Sequence, residues 1–224
     1  MRYVLLSEKS WHTPLFEQLR DNTEAEWFLI DRKENFTLEQ LFDIKPDKIF
    51  VPHWSYVIPA KIFNQFECIV FHMTDLPFGR GGSPLQNLIK KGYTETMMTA
   101  IRVEQGIDTG KVYMKRKLML HGSATEIFLR AAAIIERMIS EIISTKIEPV
   151  EQQGEPVIFK RRTPDESNIG SLKDIHALYD HIRMLDCEGY PVAYLENEHF
   201  RFEFFRVSFK DGQTLQADVR ILQK

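Results

Sequence analysis

Residues 48–71, KIFVPHWSYVIPAKIFNQFECIVF, hold two short apolar runs with a helical stretch between them. Residues 48–52 and 68–71 predict strands, and residues 59–63 predict a short helix. A strand, a helix and a second strand in succession are typical of a parallel β-α-β unit. This segment therefore predicts a parallel sheet whose faces are covered by helices.

The same alternation continues on both sides of this segment. Further strands are predicted at residues 3–6, 27–30, 96–103 and 111–118. Further helices are predicted at residues 37–42, 83–90, 123–143 and 176–185. Residues 192–222 alternate apolar and polar side chains around a KDG turn, which indicates a β-hairpin. We expect the α/β fold class, with a doubly wound, mostly parallel, Rossmann-like sheet and a small C-terminal extension of a helix plus a β-hairpin.

A change in composition indicates where the chain divides. Residues 152–154 predict a turn, and residues 161–170, RRTPDESNIG, are polar, contain a proline and read as a linker. We therefore place a boundary near residue 160. It separates a large N-terminal domain, residues 1–160, from a small C-terminal α+β subdomain, residues 161–224.

Composition limits the expected partners and compartment. The 224 residues are 43% hydrophobic with a net charge of -3, which argues against nonspecific nucleic-acid binding because such binding needs many unpaired cations. Cys68 and Cys187 are too few for a disulfide framework and lack metal-ligand spacing. No stretch approaches the ~18 apolar residues of a membrane span, and the apolar run at the N-terminus is too short for a signal peptide. We expect a soluble, cytoplasmic protein without a membrane partner.

Two loops carry the residues best suited to chemistry. Residues 71–82, FHMTDLPFGRGG, place His72 between an apolar strand and a turn rich in glycine. Residues 106–110, GIDTG, place Asp108 in a tight turn between two predicted strands. Taken singly, His72 is explained by a hydrogen bond at a strand end, and Asp108 by a bond within its own turn. Side by side, the two would form a pair that handles a proton.

In this order, the two loops resemble the signature of the N10-formyltetrahydrofolate-dependent formyltransferases. The residues that carry the resemblance are His72, Thr74, Leu76, Pro77, Arg80, Gly81, Pro84, Ile107, Asp108, Thr109 and Gly110. Residues 53–59, HWSYVIP, are similar to the loop beside the pterin pocket in that family. The resemblance implies that residues 1–160 form a formyltransferase catalytic domain.

The resemblance also implies a reaction. A substrate amine attacks the formyl carbon of the donor, N10-formyltetrahydrofolate, through a tetrahedral intermediate. His72 would stabilise the oxyanion or move the proton, and Asp108 would position His72 and help to deprotonate the amine. The usual motif has an asparagine two residues before the histidine, where this chain has Val70. Asn87 is a candidate replacement as oxyanion support, although a solvated helix position is its simpler interpretation; a folate-binding pseudoenzyme therefore stays open as an alternative.

The remaining site residues lie on loops at strand ends. The expected folate-binding residues are Trp54, Tyr56, Val57, Ile58, Arg80 and Gly106. The expected substrate-binding residues are Lys9, Ser10, Trp11, His12, His53 and Thr74. Lys9 is suited to a pyrophosphate and Trp11 to stacking on a ring, although packing against a helix explains Trp11 equally well.

The acceptor has to be inferred from the rest of the chain. The methionyl-tRNA formyltransferases of this family have a larger C-terminal domain and a basic surface, whereas the basic runs here, residues 115–117 and 160–162, are short. We therefore expect a nucleotide-sugar substrate, in particular a UDP-linked 4-amino sugar of the pseudaminic acid type in bacterial surface-glycan biosynthesis. Methionyl-tRNA is the alternative acceptor, and the net charge argues against a nucleic-acid partner. The apolar hairpin tail is suited to a homodimer contact.

Overall fold

The computed structural model describes all 224 residues, which form eleven strands and six α-helices. The strands are β1 (Arg2–Ser7), β2 (Glu26–Ile30), β3 (Lys48–His53), β4 (Cys68–His72), β5 (Phe78–Gly81), β6 (Glu95–Arg102), β7 (Val112–Met119), β8 (Val157–Phe159), β9 (Ala193–Glu196), β10 (Phe200–Phe209) and β11 (Leu215–Gln223). The α-helices are α1 (Thr13–Asn22), α2 (Leu38–Ile44), α3 (Ala60–Phe63), α4 (Pro84–Lys90), α5 (Ala124–Ser144) and α6 (Ile175–Arg183). None of them combines the length and the apolar composition that crossing a membrane requires.

The chain divides into two compact units. The first consists of Met1–Gly81, Thr96–Leu118 and Leu129–Ile158, and the second of Gly82–Glu95, Met119–Phe128 and Phe159–Lys224. The last segment of the second unit begins beside the boundary predicted near residue 160. Its other two segments come from the stretch assigned to the N-terminal domain.

The main sheet of the first unit has the strand order β2-β1-β3-β4-β6-β7. β1 pairs in parallel with β2 and β3, and β3 pairs in parallel with β4, whereas β6 runs antiparallel to β4. This order confirms the predicted α/β class with a doubly wound, mostly parallel sheet. The chain reverses its direction of winding between β1 and β3, and ligands of open α/β sheets bind beyond the carboxyl ends of the strands at such a point.

Buried aliphatic side chains hold these strands in place. The last five residues of β1 are all buried, as expected for a strand covered on both faces. One buried cluster joins the sheet to α2 and α3; its members are Val4, Leu6, Ile30, Leu41, Ile44, Ile49, Val51, Ile58, Ile62 and Cys68. Because this cluster fixes the strands against each other, their carboxyl ends line up and position the loops that follow them.

Side-chain caps define where several helices begin. Thr37 accepts a hydrogen bond from the Gln40 backbone N–H at 3.2 Å, which starts α2. Ser123 and Glu126 form a reciprocal pair before α5: the Ser123 N–H donates to the Glu126 carboxylate at 2.7 Å, and the Glu126 N–H donates to Ser123 Oγ at 3.3 Å. The helix predicted at residues 123–143 therefore starts where its sequence indicates.

The second unit contains α4, α6 and an antiparallel sheet in the order β11-β10-β9. The predicted C-terminal helix plus β-hairpin is therefore confirmed. Three short strands, β5, β8 and β9, are absent from the prediction. β5 reads FGRG, in which two of the four residues are glycine, whereas β8 has only three residues and β9 only four, so none shows the alternation that marks a strand.

Candidate active site

His72 and Asp108 come together, as the sequence predicts. His72 is the last residue of β4, and Asp108 lies in the loop between β6 and β7. His72 Nδ1 and Asp108 Oδ2 are 3.6 Å apart, and the two side chains are only 8% and 16% exposed. Water therefore screens the charge of Asp108 weakly, and its carboxylate faces the ring at close range.

The hydrogen bonds of the His72 ring show which nitrogen is available. Nε2 lies 2.8 Å from the Gly79 backbone oxygen. A carbonyl oxygen can only accept, so Nε2 carries a hydrogen and donates it. Nδ1 is then the nitrogen with a free lone pair, and it faces Asp108. Thr74 is completely buried and its hydroxyl donates to the same oxygen at 3.3 Å, so Thr74 helps to order this loop.

The turn around Asp108 is shaped by close backbone approach. Asp108 has a φ of +54°, a left-handed conformation that Asp tolerates better than most residues, and Gly106 opens the turn with a φ of +105°. Gly110 has no room for a side chain, because a Cβ there would lie 1.7 Å from the Arg102 backbone oxygen. The Gly81 N–H donates to Asp108 Oδ2 at 2.8 Å, which fixes the carboxylate.

The sequence predicts only a turn at Gln152, yet its side chain belongs to the site. Its Nε2 donates to the backbone oxygens of Asp108 and Gly110, both at 2.8 Å. Its Oε1 accepts from Arg80 Nη2 at 2.7 Å. These partners are 44, 42 and 72 residues away along the chain, so no local pattern could have indicated them.

The loop after β3 places the predicted folate-binding residues in different surroundings. Trp54 is half-buried, with its ring centroid 5.9 Å from that of Phe36 and 5.4 Å from that of Tyr56. Tyr56 and Val57 are 43% and 80% exposed, whereas Ile58 lies in the buried cluster. Ile58 thus anchors the loop, while Tyr56 and Val57 present apolar surface to solvent.

The loop after β1 begins beside the loop after β3, because Ser7 pairs in register with His53. The Trp11 and His53 rings meet nearly at right angles, with centroids 5.9 Å apart. Lys9 Nζ lies 5.7 Å from the Trp11 ring centroid, and Ser10 is exposed. The predicted substrate-binding residues of the two loops therefore meet at the point where the winding of the sheet reverses.

His12, the last residue of the same loop, is buried, with Nδ1 2.7 Å from Ser7 Oγ. Burial, and then the charges of His53 and Lys9, lower the pKa of His12 to about 3. Because the unfolded chain has the higher pKa, about 6.5, the native state is fully favoured above that pH and loses stability as the pH falls toward 3. Acidification from about pH 7.5 to about pH 5 should cost about 2 kcal/mol of unfolding free energy through His12.

Denaturant unfolding at the two pH values measures this loss. The His12→Gln variant should lack the His12 contribution, whereas His199→Gln, at an exposed position, should keep it. Equal pH dependence in wild type and His12→Gln would show that His12 is not held neutral in the native state.

Two family models match the sequence. The model described as "Formyl transferase" matches residues 15–132. The model described as "Methionyl-tRNA formyltransferase, C-terminal domain" matches residues 164–222. The two matches lie on either side of the boundary predicted near residue 160.

Individual proteins show how much of the chain is shared. The solved methionyl-tRNA formyltransferase from Clostridium thermocellum is 44% identical, with a TM-score of 0.97 and full coverage of both chains. A curated methionyl-tRNA formyltransferase from Clostridium botulinum is 26% identical over 205 residues, covering 85% of this chain and 65% of that protein. The chain thus spans about 65% of the length of that curated relative. HypX from Aquifex aeolicus, solved with tetrahydrofolic acid, shares the fold with a TM-score of 0.76 and 18% identity over 92% of this chain and 38% of that one.

These relatives overturn two predictions, the nucleotide-sugar substrate and the exclusion of a nucleic-acid partner. Both the relative that is 44% identical and the curated one are named for methionyl-tRNA, not for a sugar. The exclusion relied on the net charge of -3, which averages over the whole surface and does not report the local field. It also relied on a short C-terminal region, yet residues 164–222 match that domain. The match over residues 15–132 and the relative with 44% identity place this chain in the formyl transferase family.

Proposed function

We propose that the protein transfers a formyl group from N10-formyltetrahydrofolate to methionyl-tRNA. The observation that carries this proposal is the buried pair of His72 and Asp108, in a chain 44% identical to a methionyl-tRNA formyltransferase. The HypX structure with tetrahydrofolic acid supports a folate as the donor, because that protein has the same fold.

The residues at the carboxyl ends of the strands fit such a donor. Tyr56 and Val57 offer exposed apolar surface beyond β3, which suits the flat pterin ring. Arg80 carries a fixed positive charge, and Gln152 holds its guanidinium. A guanidinium suits the carboxylates of a folate, which it can bind through two N–H groups at once.

In the proposed reaction, His72 acts through Nδ1, the ring nitrogen that does not bond to Gly79. Nδ1 accepts the proton that the methionyl amine loses as the amine bonds to the formyl carbon. Asp108 stabilises the imidazolium from 3.6 Å away. Nδ1 then returns the proton to the leaving nitrogen of the folate as its bond to the formyl carbon breaks, so no covalent enzyme intermediate is needed.

The hydrogen bond to the oxyanion cannot come from position 70, where the usual asparagine is replaced by Val70. Val70 packs against two buried apolar clusters and has no donor. Asn87 Nδ2 donates to the backbone oxygens of Gly82, Ser83 and Lys160, at 3.0 to 3.1 Å. Those bonds already engage both of its hydrogens.

The protonated ring of His72 is therefore our candidate for the oxyanion donor. The apolar side chain of Val70 also favours a second candidate function, a protein that binds folate without transferring the formyl group. Turnover separates the two functions, because only an enzyme consumes the donor in proportion to acceptor formylated.

A basic cluster in the second unit suits an RNA partner. It consists of Lys90 and Lys91, at the end of α4, and of Lys160, Arg161 and Arg162, the short basic run at the start of the linker. Lys91 Nζ lies 6.0 Å from the centroid of the Phe159 ring. Burial, and then the positive charges of Arg162 and Lys90, lower the pKa of His181 to about 4, so both cations lie near this side chain. Four of the five side chains are exposed, so the cluster can meet phosphates.

Reversing charges in this cluster should weaken binding of the acceptor and leave binding of the donor unchanged. The variant Lys90→Glu with Lys91→Glu should raise the KM for methionyl-tRNA by about tenfold or more. The salt dependence of that KM should fall by the amount expected for the loss of about two phosphate contacts. The KM for the folate donor should not change. The exposed pair Lys61→Glu with Lys146→Glu is the matched control. An equal rise in KM in the control would show that the cluster does not bind the acceptor specifically.

A comparison of acceptors tests the proposed function itself. The purified chain is supplied with N10-formyltetrahydrofolate and, in turn, methionyl-tRNA, uncharged tRNA and free methionine. We expect N-formylmethionine to appear only with the charged tRNA. Binding of tetrahydrofolate without any formylated product would support the second candidate instead.

A further inference from the structure

Gln152 is the one side chain that hydrogen-bonds to both Arg80 and the turn of Asp108. Its two N–H groups donate to the Asp108 and Gly110 backbone oxygens, and its Oε1 accepts from Arg80 Nη2 at 2.7 Å and Nε at 3.2 Å. Only one orientation of the amide satisfies these partners, because two of them are carbonyl oxygens and the third is a donor. All the hydrogen-bonding capacity of Gln152 is therefore used inside the site.

Asp108 is held at two points, its carboxylate and its backbone oxygen. Glycines stand at both ends of its turn, at Gly106 and Gly110, and contribute no side-chain contacts. The Gly81 N–H fixes the carboxylate, and Gln152 fixes the backbone oxygen. Without the Gln152 bonds, Asp108 keeps only the hydrogen bond to its carboxylate, and its backbone oxygen loses this partner.

We propose that Gln152 is a positioning residue for formyl transfer, which rests on the proposed function. It sets the carboxylate of Asp108 against His72 Nδ1, and it holds Arg80 ready for the donor. One amide thus couples the placement of the proton-handling pair to the binding of the folate. A displacement of about 1 Å in such a pair can cost about 10²-fold in rate.

Two substitutions separate the roles of this amide. Gln152→Glu keeps an acceptor for Arg80 but sets a carboxylate oxygen against the Asp108 and Gly110 carbonyls, which repels the turn. Gln152→Met removes both sets of bonds at nearly constant volume. Gln153→Glu, at the exposed neighbouring residue, is the matched control for the added charge.

The expected kinetic pattern splits kcat from KM. Gln152→Glu should lower kcat by roughly 10- to 100-fold with the KM for the donor within about twofold of wild type. Gln152→Met should lower kcat similarly and also raise the KM for the donor, because Arg80 loses its partner. Gln153→Glu should behave as wild type in both parameters.

Hydrogen exchange of the Gly81 amide supplies a measurement that needs no turnover. This N–H donates to Asp108, so a displaced carboxylate should expose it to faster exchange in both Gln152 variants and not in Gln153→Glu. Protection of the β1 amides verifies that each variant is folded; Gln152→Asn replaces a variant that fails this check.

The two measurements together decide the inference. Unchanged Gly81 exchange in the folded Gln152 variants overturns it at any activity, and so does faster exchange with an unchanged kcat. If the wild-type chain formylates no acceptor, the proposed function fails, and Gly81 exchange still reports whether Gln152 holds Asp108.

Discussion

Exchange of His72 for glutamine is expected to lower the rate of formyl transfer by about 10²- to 10⁴-fold, the factor that a general acid–base typically contributes. The glutamine amide can still donate to the Gly79 oxygen, as His72 Nε2 does. It has no atom that takes up a proton near neutral pH. The loss should therefore fall on kcat, while the folate donor binds with nearly wild-type affinity.

Two measurements check this expectation. Steady-state formylation of methionyl-tRNA gives kcat, and calorimetric titration with tetrahydrofolate gives donor affinity. His181→Gln serves as a control for the loss of a buried histidine outside the pair. If His72→Gln kept more than about a tenth of wild-type kcat, His72 could not be the proton-handling group.

Exchange of Asp108 for asparagine should lower kcat by about 10²- to 10³-fold, because the imidazolium of His72 then lacks its negative partner at 3.6 Å. Asparagine has the same shape, tolerates the left-handed φ of +54°, and can still accept from the Gly81 N–H. The fold of the turn should therefore survive, and the loss should report the missing charge.

The pair should also behave as a unit. The double variant His72→Gln with Asp108→Asn should be no slower than His72→Gln alone, since Asp108 acts through the ring. Multiplication of the two single losses would mean that Asp108 contributes independently of His72, and the assigned role of the carboxylate would be wrong.

Local patterns were sufficient to predict most of the fold and to single out His72 and Asp108, whereas the pairing of the two was predicted through the family resemblance. β4 is an apolar run that ends at His72, and the glycines of GIDTG mark the turn of Asp108, so each element carries its own signature in a short stretch. The capping pair Ser123 and Glu126 likewise marks the start of α5 at Ala124. Such features depend on neighbours in sequence, which is why a single chain reveals them.

Features built from distant residues could not be read in the same way. Gln152 joins Arg80 and Asp108 through bonds that span 72 and 44 residues, and nothing in its own surroundings indicates this. The basic cluster is assembled from α4 and the linker, so the sequence shows only its parts. The acceptor was mispredicted for this reason: a net charge of -3 is a sum, whereas RNA responds to the local arrangement of cations.

The most direct test is a single-turnover experiment. The purified chain, in excess, is mixed with methionyl-tRNA and an equal amount of N10-formyltetrahydrofolate; the reaction is then quenched, and the tRNA is deacylated. N-formylmethionine should appear at the rate at which tetrahydrofolate is released, and His72→Gln should slow both signals together. Release of tetrahydrofolate with free formate and no N-formylmethionine, or no consumption of the donor at all, would contradict formyl transfer to methionyl-tRNA.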